Sequence, residues 1–307
     1  MSMISARNIS KSFEEVKALD RFSLEVEEGA IVALLGPDGA GKTTLMRILC
    51  NLVEPDPEDG AAVTIDGRDA LAGFESIKPA IGYMPQTFSL YPDLSVEENM
   101  TFYAGIYGFT GRDYRRMRDR MHEFSGLGPF AGRRAGALSG GMKQKLALSC
   151  ALLHDPRILI LDEPTTGVDP LSRRQFWEML LDLRDSGVTI LVSTPYMDEV
   201  ERADRAVAML GGKRLLEATP DEMASGFEGG IYYLPEEPSL ELTGRLSRIE
   251  GITARRFGSG LHIYVPEDGD IADHLDDLRK AGVETESIEE IEPSIEDRFI
   301  QLMEERR

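Results

Sequence analysis

Gly36-Pro37-Asp38-Gly39-Ala40-Gly41-Lys42-Thr43 follows the spacing G-x-x-x-x-G-K-[ST], and its setting restricts the fold more than any other stretch. It comes directly after the apolar run Ala30–Leu35 and opens a helical pattern from Lys42 to Leu49. A buried strand that ends in a glycine-rich turn and hands over to a helix is the context a phosphate-binding P-loop needs. The glycines let the backbone wrap closely around phosphates, while loop amides and the helix N-terminus supply positive potential. The motif predicts that Lys42 reaches the β- and γ-phosphates of a bound nucleotide and that Thr43 ligates Mg²⁺.

Three more apolar runs, Ile158–Leu161, Thr189–Ser193 and Ala206–Leu210, alternate with helical spacing and predict a parallel α/β sheet. The run Ile158–Leu161 ends in Asp162-Glu163. An acid at the carboxyl end of such a strand lies beside the P-loop. Asp162 is expected to hold Mg²⁺, directly or through water, and Glu163 to orient or deprotonate the attacking water. Between Lys42–Leu49 and Ile158–Leu161, Val96–Tyr107, Tyr114–Phe124 and Gly140–Leu153 read as helices, a helical subdomain over about residues 88–155.

The chain carries 54 Asp+Glu against 34 Lys+Arg, a net charge of −20. That balance argues against a general nucleic-acid surface and against adsorption to anionic lipid, since both need clustered Lys and Arg. Residues 221–307 hold 22 of the acids and only 9 of the bases. With Ser225-Gly226-Phe227-Glu228-Gly229-Gly230 at the transition, this predicts a domain over 1–222 and a smaller one over 230–307. In the smaller domain, strands at Ile231–Leu234, Ile252–Phe257, Leu261–Val265 and Thr285–Ile291 alternate with helices at Ser239–Ile249 and Asp270–Ala281. A last helix over Ser294–Met303 follows. The order βαββαβ predicts a ferredoxin-like α+β domain. Cys50 and Cys150 lie in apolar runs and read as buried hydrophobes of a reducing compartment. No run approaches the ~18 apolar residues of a membrane span, and the first fifteen residues lack an apolar signal core. The expectation is a soluble chain whose membrane role, if any, needs a partner.

Leu138-Ser139-Gly140-Gly141-Met142-Lys143-Gln144 falls at a predicted helix start, where small residues leave backbone amides bare for an anion. The run resembles the LSGGQ signature of ABC ATPases. Gln86 in Tyr83-Met84-Pro85-Gln86 resembles the Q-loop of that family, and Gly167-Val168-Asp169 its D-loop. Order and spacing are similar to the ABC nucleotide-binding domain, a P-loop NTPase fold, across roughly residues 3–220. The resemblance implies two such domains dimerised head to tail around two ATPs, as a homodimer or a heterodimer. It places Gly36, Pro37, Asp38, Gly39, Ala40, Gly41, Lys42, Thr43 and Thr44 on the nucleotide, with Gln86, Asp162 and Glu163 beside it. Lys42, Gln86 and Glu163 are its catalytic candidates, and Thr43, Gln86 and Asp162 its metal candidates. Ser139, Gly140 and Gly141 would bind the γ-phosphate held by the opposite chain, and Asp169 would lie at the dimer seam. Phe13 falls where the family stacks an aromatic ring on adenine, with Val16 lining the same pocket.

One position departs from the family. Val192-Ser193-Thr194-Pro195-Tyr196-Met197 puts Pro195 where a γ-phosphate-contacting histidine normally stands. Proline offers no side-chain donor and no backbone N–H, and loss of one such contact typically slows chemistry ~10²–10³-fold. None of His122, His154, His262 and His274 is placed to substitute, and each reads as an ordinary surface or helix residue. Locally, Thr194 as N-cap and Pro195 at N1 would suit a helix start. The segments Ser89–Asn99 and Glu292–Ile300 make the whole most similar to the ATPase subunits of ABC-2-type exporters, the daunorubicin-resistance-like multidrug group. That resemblance implies a separate integral membrane permease docking near Gln86 and the helical subdomain, with Phe88, Leu90, Tyr91 and Leu94 as candidate contacts. It implies a cytoplasmic subunit, peripheral on the membrane, with no nucleic-acid partner. A regulatory subunit with degenerate hydrolysis, motivated by Pro195, is the alternative; Glu163 speaks against it.

Overall fold

The computed structural model describes residues 2–57 and 60–305, and the chain divides into two compact units, Met1–Pro220 and Asp221–Arg307. In the first unit, a long hairpin of β1 (Ser2–Phe13) and β2 (Val16–Glu27) precedes β3 (Ile31–Leu35) and α1 (Lys42–Leu49). There follow β4 (Ala62–Ile65), β5 (Arg68–Asp69) and β6 (Ile81–Met84). Helices α2 (Val96–Ile106), α3 (Gly111–Ser125) and α4 (Gly140–Leu152) come next. The unit closes with β7 (Ile158–Asp162), α5 (Pro170–Asp185), β8 (Thr189–Thr194), α6 (Met197–Val200), β9 (Arg205–Leu210) and β10 (Lys213–Ala218).

These strands make two sheets. A six-stranded sheet has the order β10-β9-β3-β8-β7-β6, parallel except for β10 at its edge. Every residue of β3, β7 and β8 is buried, which is why these strands read as unbroken apolar runs rather than alternations. An antiparallel sheet, β2-β1-β4-β5, lies across the core. Met3, Ile4, Ile9, Phe22 and Leu24 of that sheet share one cluster with Val32, Leu34, Leu45, Met46 and Ile160. Helix α1 is thus enclosed by apolar side chains from both sheets. The antiparallel sheet and β10 are absent from the sequence expectations.

In the helical subdomain, α2 opens on a capping box: Ser95 accepts from Glu98 N, and the Glu98 carboxylate accepts from Ser95 N. Helix α4 starts exposed at Ser139 and Gly140 and is buried on all sides from Leu146 to Leu152. It therefore plants the subdomain on the sheet.

The second unit begins within α7 (Pro220–Ser225) and contains β11 (Gly230–Leu234), α8 (Leu240–Leu246), β12 (Thr253–Phe257) and β13 (Gly260–Val265). It ends with α9 (Leu275–Lys280), β14 (Glu289–Glu290) and α10 (Ile295–Glu304). Its antiparallel sheet has the order β12-β13-β11-β14, so β11 and β12 are separated by β13, the split arrangement expected of βαββαβ. The strand expected at Thr285–Ile291 shrinks to Glu289–Glu290, because Thr285–Ser287 winds into a 3₁₀ turn. The helix expected over Asp270–Ala281 opens as 3₁₀ over Ile271–His274, with Asp270 capping Ala272 N. His262 is not a surface residue. It is buried in β13, stacked on Phe257 at 3.8 Å and bonded through Nδ1 to Asp297 Oδ1 at 2.8 Å.

Candidate functional site

The parallel strands bring their carboxyl ends to one edge. Leu35 pairs with Thr194, Asp162 with Ser193 and Met84 with Leu161. The residues that follow these ends are the P-loop, Glu163, Pro195 and Gln86, so topology alone converges segments far apart in sequence.

The P-loop is shaped by close backbone approaches. Gly41 has φ +103°, and a Cβ there would lie 2.4 Å from the Ala18 carbonyl oxygen, so only glycine fits. Gly36 lets the loop pass the Met209 carbonyl, which a Cβ would meet at 2.6 Å. Lys42 folds back over the loop. Its Nζ donates to Gly36 O at 2.6 Å and Pro37 O at 3.2 Å, and pairs with Glu163 Oε1 at 3.2 Å. Both charges are buried, at 4% and 5% exposure. The pair is therefore shielded from solvent.

Asp162 is fully buried. Its Oδ1 accepts from Ser193 Oγ at 2.8 Å and from Thr43 Oγ1 at 3.1 Å. Its Oδ2 is buried with no hydrogen-bond partner among the described residues. Burial pushes the Asp162 carboxyl above its usual range; the Ser193 and Thr43 hydroxyls pull against that, and the Glu163 charge adds to it. An orphaned carboxylate oxygen next to a threonine hydroxyl suits a small hard cation that prefers oxygen ligands and keeps several sites for water and phosphate. The residues present thus fit Mg²⁺, and Asp162 and Thr43 are the side chains that would hold it.

Glu163 adopts φ +47°, a left-handed conformation that costs a non-glycine residue about 1 kcal/mol or more. Its Oε2 accepts from Gln86 Nε2 at 3.0 Å and Thr166 Oγ1 at 3.2 Å. Its amide donates to Ser193 Oγ at 2.9 Å. Lys42, Thr43, Gln86, Asp162 and Glu163 therefore form one connected group. Gln86 bonds to Glu163, and no hydrogen bond among the described residues joins it to Asp162 or Thr43.

Phe13 and Val16 close the β1–β2 hairpin opposite each other, 47% and 69% exposed, and neither belongs to the core. Strand β2 continues past them to Ala18, which touches Gly41, so the pair sits on the strand that flanks the P-loop. Pro37, Asp38 and Gly39 are exposed at the loop's crest, Ala40 is buried beneath it, and Thr44 is half-buried in the first turn of α1.

The signature lies elsewhere. Ser139 caps α4 by accepting from Met142 N at 3.3 Å, and Gly140 is open. Gly141 is buried, and a Cβ on it would lie 2.4 Å from Ser172 Cβ. Its smallness is required for α4 to pass α5, a packing reason that the sequence reading did not give. Within this chain no hydrogen bond among the described residues joins Ser139, Gly140 or Gly141 to the P-loop. Asp169 is the N-cap of α5, accepting from Ser172 N at 3.0 Å.

The histidine-position segment also differs from expectation. Thr194 ends β8, and the N-cap of α6 is Tyr196, with no side-chain cap. Thr194 Oγ1 instead accepts from Tyr196 N at 3.0 Å, a local side-chain turn spanning Pro195. His154 Nε2 donates to Ile81 O at 2.9 Å and its ring stacks on Tyr107 at 3.9 Å, while His122 bonds Glu97; neither joins the P-loop group through any hydrogen bond among the described residues. Ser193, Thr165, Thr166, Arg173 and Glu199 were not singled out in the sequence. Ser193 was visible as a hydroxyl ending an apolar run, but nothing in its spacing tied it to Asp162.

Comparison with known proteins agrees with this geometry. Residues 19–166 match the family model described as ABC transporter. The probable multidrug ABC transporter ATP-binding protein YbhF of Escherichia coli K12 is 37% identical over 98% of this chain, which spans 52% of that relative. The chain thus covers about half the length of that protein. The Nod factor export ATP-binding protein I of Rhizobium etli is 32% identical over 98% of this chain and 93% of its own length. Among solved structures, an ATP-binding subunit of an ABC transporter superposes with TM-score 0.65 at 30% identity, covering 74% of this chain and 93% of that one. A dimeric ATP-binding cassette in a post-hydrolysis state with ADP and Pi superposes with TM-score 0.64 at 27% identity, over 71% of this chain and 98% of that one.

Proposed function

This chain belongs to the ABC transporter family, among its ATP-binding proteins, and from that premise we propose that it binds and hydrolyses ATP to drive an ABC-2-type membrane exporter. The observation that carries the hydrolytic reading is the connected group Lys42–Glu163–Gln86 beside Thr43–Asp162. The γ-phosphate binds at Lys42 and competes with Glu163 for its ammonium. Glu163, released from Lys42, keeps its bonds to Gln86 and Thr166 and orients the attacking water as general base. Mg²⁺, held by Thr43 and Asp162, supplies charge neutralisation on the β- and γ-phosphates when bound. Phe13 stacks on the adenine, with Val16 beside it.

Two such domains pair head to tail, as copies of this chain or with a different ATPase. Ser139 and the bare amide of Gly140 then face the partner's γ-phosphate, with Asp169 at the seam. Pro195 withholds one contact from the site built on this chain's own P-loop, so turnover is slow rather than absent. The permease docks on the helical subdomain, where Tyr91, Phe102 and Ile106 stand 46%, 42% and 62% exposed, with the Tyr91 and Phe102 rings 4.8 Å apart. Leu90 is buried and Phe88 half-buried under Lys143, so neither is a leading contact. No helix among the described residues is long and apolar enough to cross a membrane; the peripheral, cytoplasmic-face location is part of this proposal and rests on the family membership.

Steady-state Mg·ATP hydrolysis tests the reading, with Glu163→Gln as the blank. Turnover clearly above the blank is expected. Turnover equal to it, with ATP still bound, would sink the hydrolytic reading.

A further inference from the structure

One buried carboxylate fastens the loop after Glu163 to the strand end before Pro195. Glu199 is 2% exposed. Its Oε1 accepts from Thr165 Oγ1 at 2.7 Å and from Arg173 Nε at 3.1 Å, and its Oε2 accepts from Thr194 Oγ1 at 2.6 Å. Thr165 and Thr194 are themselves buried. A carboxylate taken this far from water is retained only where donors and a cation surround it. Here those donors come from three separate segments: the loop after β7, helix α5 and the end of β8.

Arg173 extends the connection. Its Nη2 donates to Asp198 Oδ2 at 2.6 Å, and its guanidinium lies 4.0 Å over the Tyr196 ring. It stands one turn after Asp169, the N-cap of the same helix. The loop held by Thr165 is the one that carries Glu163 at its strained φ. Val168 N bonds Thr165 O at 3.1 Å, Thr166 N bonds Glu163 O at 3.2 Å, and Thr166 Oγ1 bonds the Glu163 carboxylate. On the other side, Pro195 contributes no donor; the Thr194–Tyr196 turn is closed by Tyr196 N on Thr194 Oγ1 at 3.0 Å and held from outside by the Glu199 carboxylate and the Arg173 guanidinium.

We infer that Glu199, paired with Arg173, is a positioning residue for ATP hydrolysis: it holds Thr165, and through it the loop bearing Glu163, against the end of β8. This rests on the ATPase reading above. Glu199 touches no substrate. It acts by keeping the general base where the water must be met, adding a second tie between the Glu163 loop and β8 beside the Ser193 hydroxyl.

The test uses the full chain with Glu199→Gln, Thr165→Val and the double variant. Amide hydrogen exchange of the 163–168 segment is read without nucleotide, and kcat and KM with Mg·ATP. In Glu199→Gln the Thr166 and Val168 amides are expected to exchange ~10-fold faster or more, with other segments unchanged. The value of kcat is expected to fall ~10–100-fold, the scale of a small misplacement of a catalytic group, with KM within about twofold. Thr165→Val should reproduce the loss, and the double variant should be no slower than the worse single one, since both act through one contact. Unchanged exchange at 163–168, losses that multiply in the double variant, or KM rising in step with the fall in kcat would each overturn the inference. Should Glu199→Gln fail to fold, Thr165→Val carries both readouts, because it removes one hydroxyl at constant shape. Wild-type turnover equal to Glu163→Gln would overturn the ATPase reading instead, and the exchange result then decides the clamp by itself.

Discussion

Replacing Asp162 by asparagine separates the cost of the site from its use. In the free protein the substitution has two opposing effects. The asparagine oxygen takes over the Oδ1 position and keeps the Thr43 and Ser193 donors. The amide nitrogen then occupies the place of Oδ2, where the wild-type atom already lacks a partner. An unpaired buried amide costs about 1–3 kcal/mol. Against that, a fully buried negative charge, which burial disfavours, disappears. The two effects oppose each other, so the free variant should lose less than ~3 kcal/mol relative to wild type, read as the change in Tm. With Mg·ATP at a hundred times its Kd, wild type gains about 2.7 kcal/mol, roughly 5–11 °C. The variant should lose most of that gain. The sign with pH follows from the raised carboxyl. The folded state binds this proton more tightly than the unfolded one, so the penalty is full above the raised value and fades as pH falls toward the ordinary carboxylate range. The variant's relative stability is therefore highest at neutral pH. Calorimetry with and without Mg·ATP measures both quantities. A free variant destabilised by more than ~3 kcal/mol would mean that Asp162 is structural, and an unchanged Mg·ATP shift would mean that it does not hold the metal.

Pro195→His should raise kcat for Mg·ATP by ~10-fold or more, since it restores a donor at the carboxyl edge of β8; stopped-time phosphate release checks this, and no gain would show that the side chain cannot reach the γ-phosphate. Gly41→Ala should destabilise the first unit by about 2 kcal/mol or more, because φ +103° and a Cβ 2.4 Å from Ala18 O both oppose it; denaturant midpoints read the loss. Phe13→Ala should leave stability within ~0.5 kcal/mol, as befits a half-exposed side chain, while weakening ATP binding ~3–10-fold through the lost ring contact; titration calorimetry separates the two. Asp297→Ala should cost the second unit about 3 kcal/mol or more, since it strips His262, Tyr264 and Ser294 of a shared buried acceptor. Burial raises the Asp297 carboxyl, but bonds from Ser294, His262 and Tyr264 outweigh it and hold the carboxyl below its usual range. Its contribution is thus present above the ordinary carboxylate value and lost as pH falls through the lowered one.

The parts of this site visible in the sequence are those whose chemistry is local. Gly36–Thr43 announces itself because loop, strand and helix are contiguous, and Asp162-Glu163 because two acids close an apolar strand. The antiparallel sheet was not legible: β1 mixes buried and exposed residues irregularly through its bulges, so neither period 2 nor a continuous apolar run appears. Gly141 was legible as a glycine but not for its reason, because Ser172 approaches it only after α4 and α5 have packed. Thr194 and Pro195 read as a helix start on local propensity. Tertiary bonding to Glu199 wins instead and keeps Thr194 in the strand.

The features that look unfavourable one at a time share a single support. A buried carboxylate with an unpaired oxygen, a glutamate in left-handed backbone and a desolvated Lys42–Glu163 pair all stand at the carboxyl edge of three strands with no exposed residue. Such strain persists only where the surroundings over-determine it. Ser193 shows how: its one hydroxyl donates to Asp162 and accepts from the Glu163 amide, so β8 fixes the last residue of β7 and the acid that follows it at once. Glu199 does the same one step further along, between Thr194 and Thr165. The rigid apolar sheet thereby holds in place charges that would otherwise relax toward water, and a phosphate arriving at Lys42 meets a site already arranged for it.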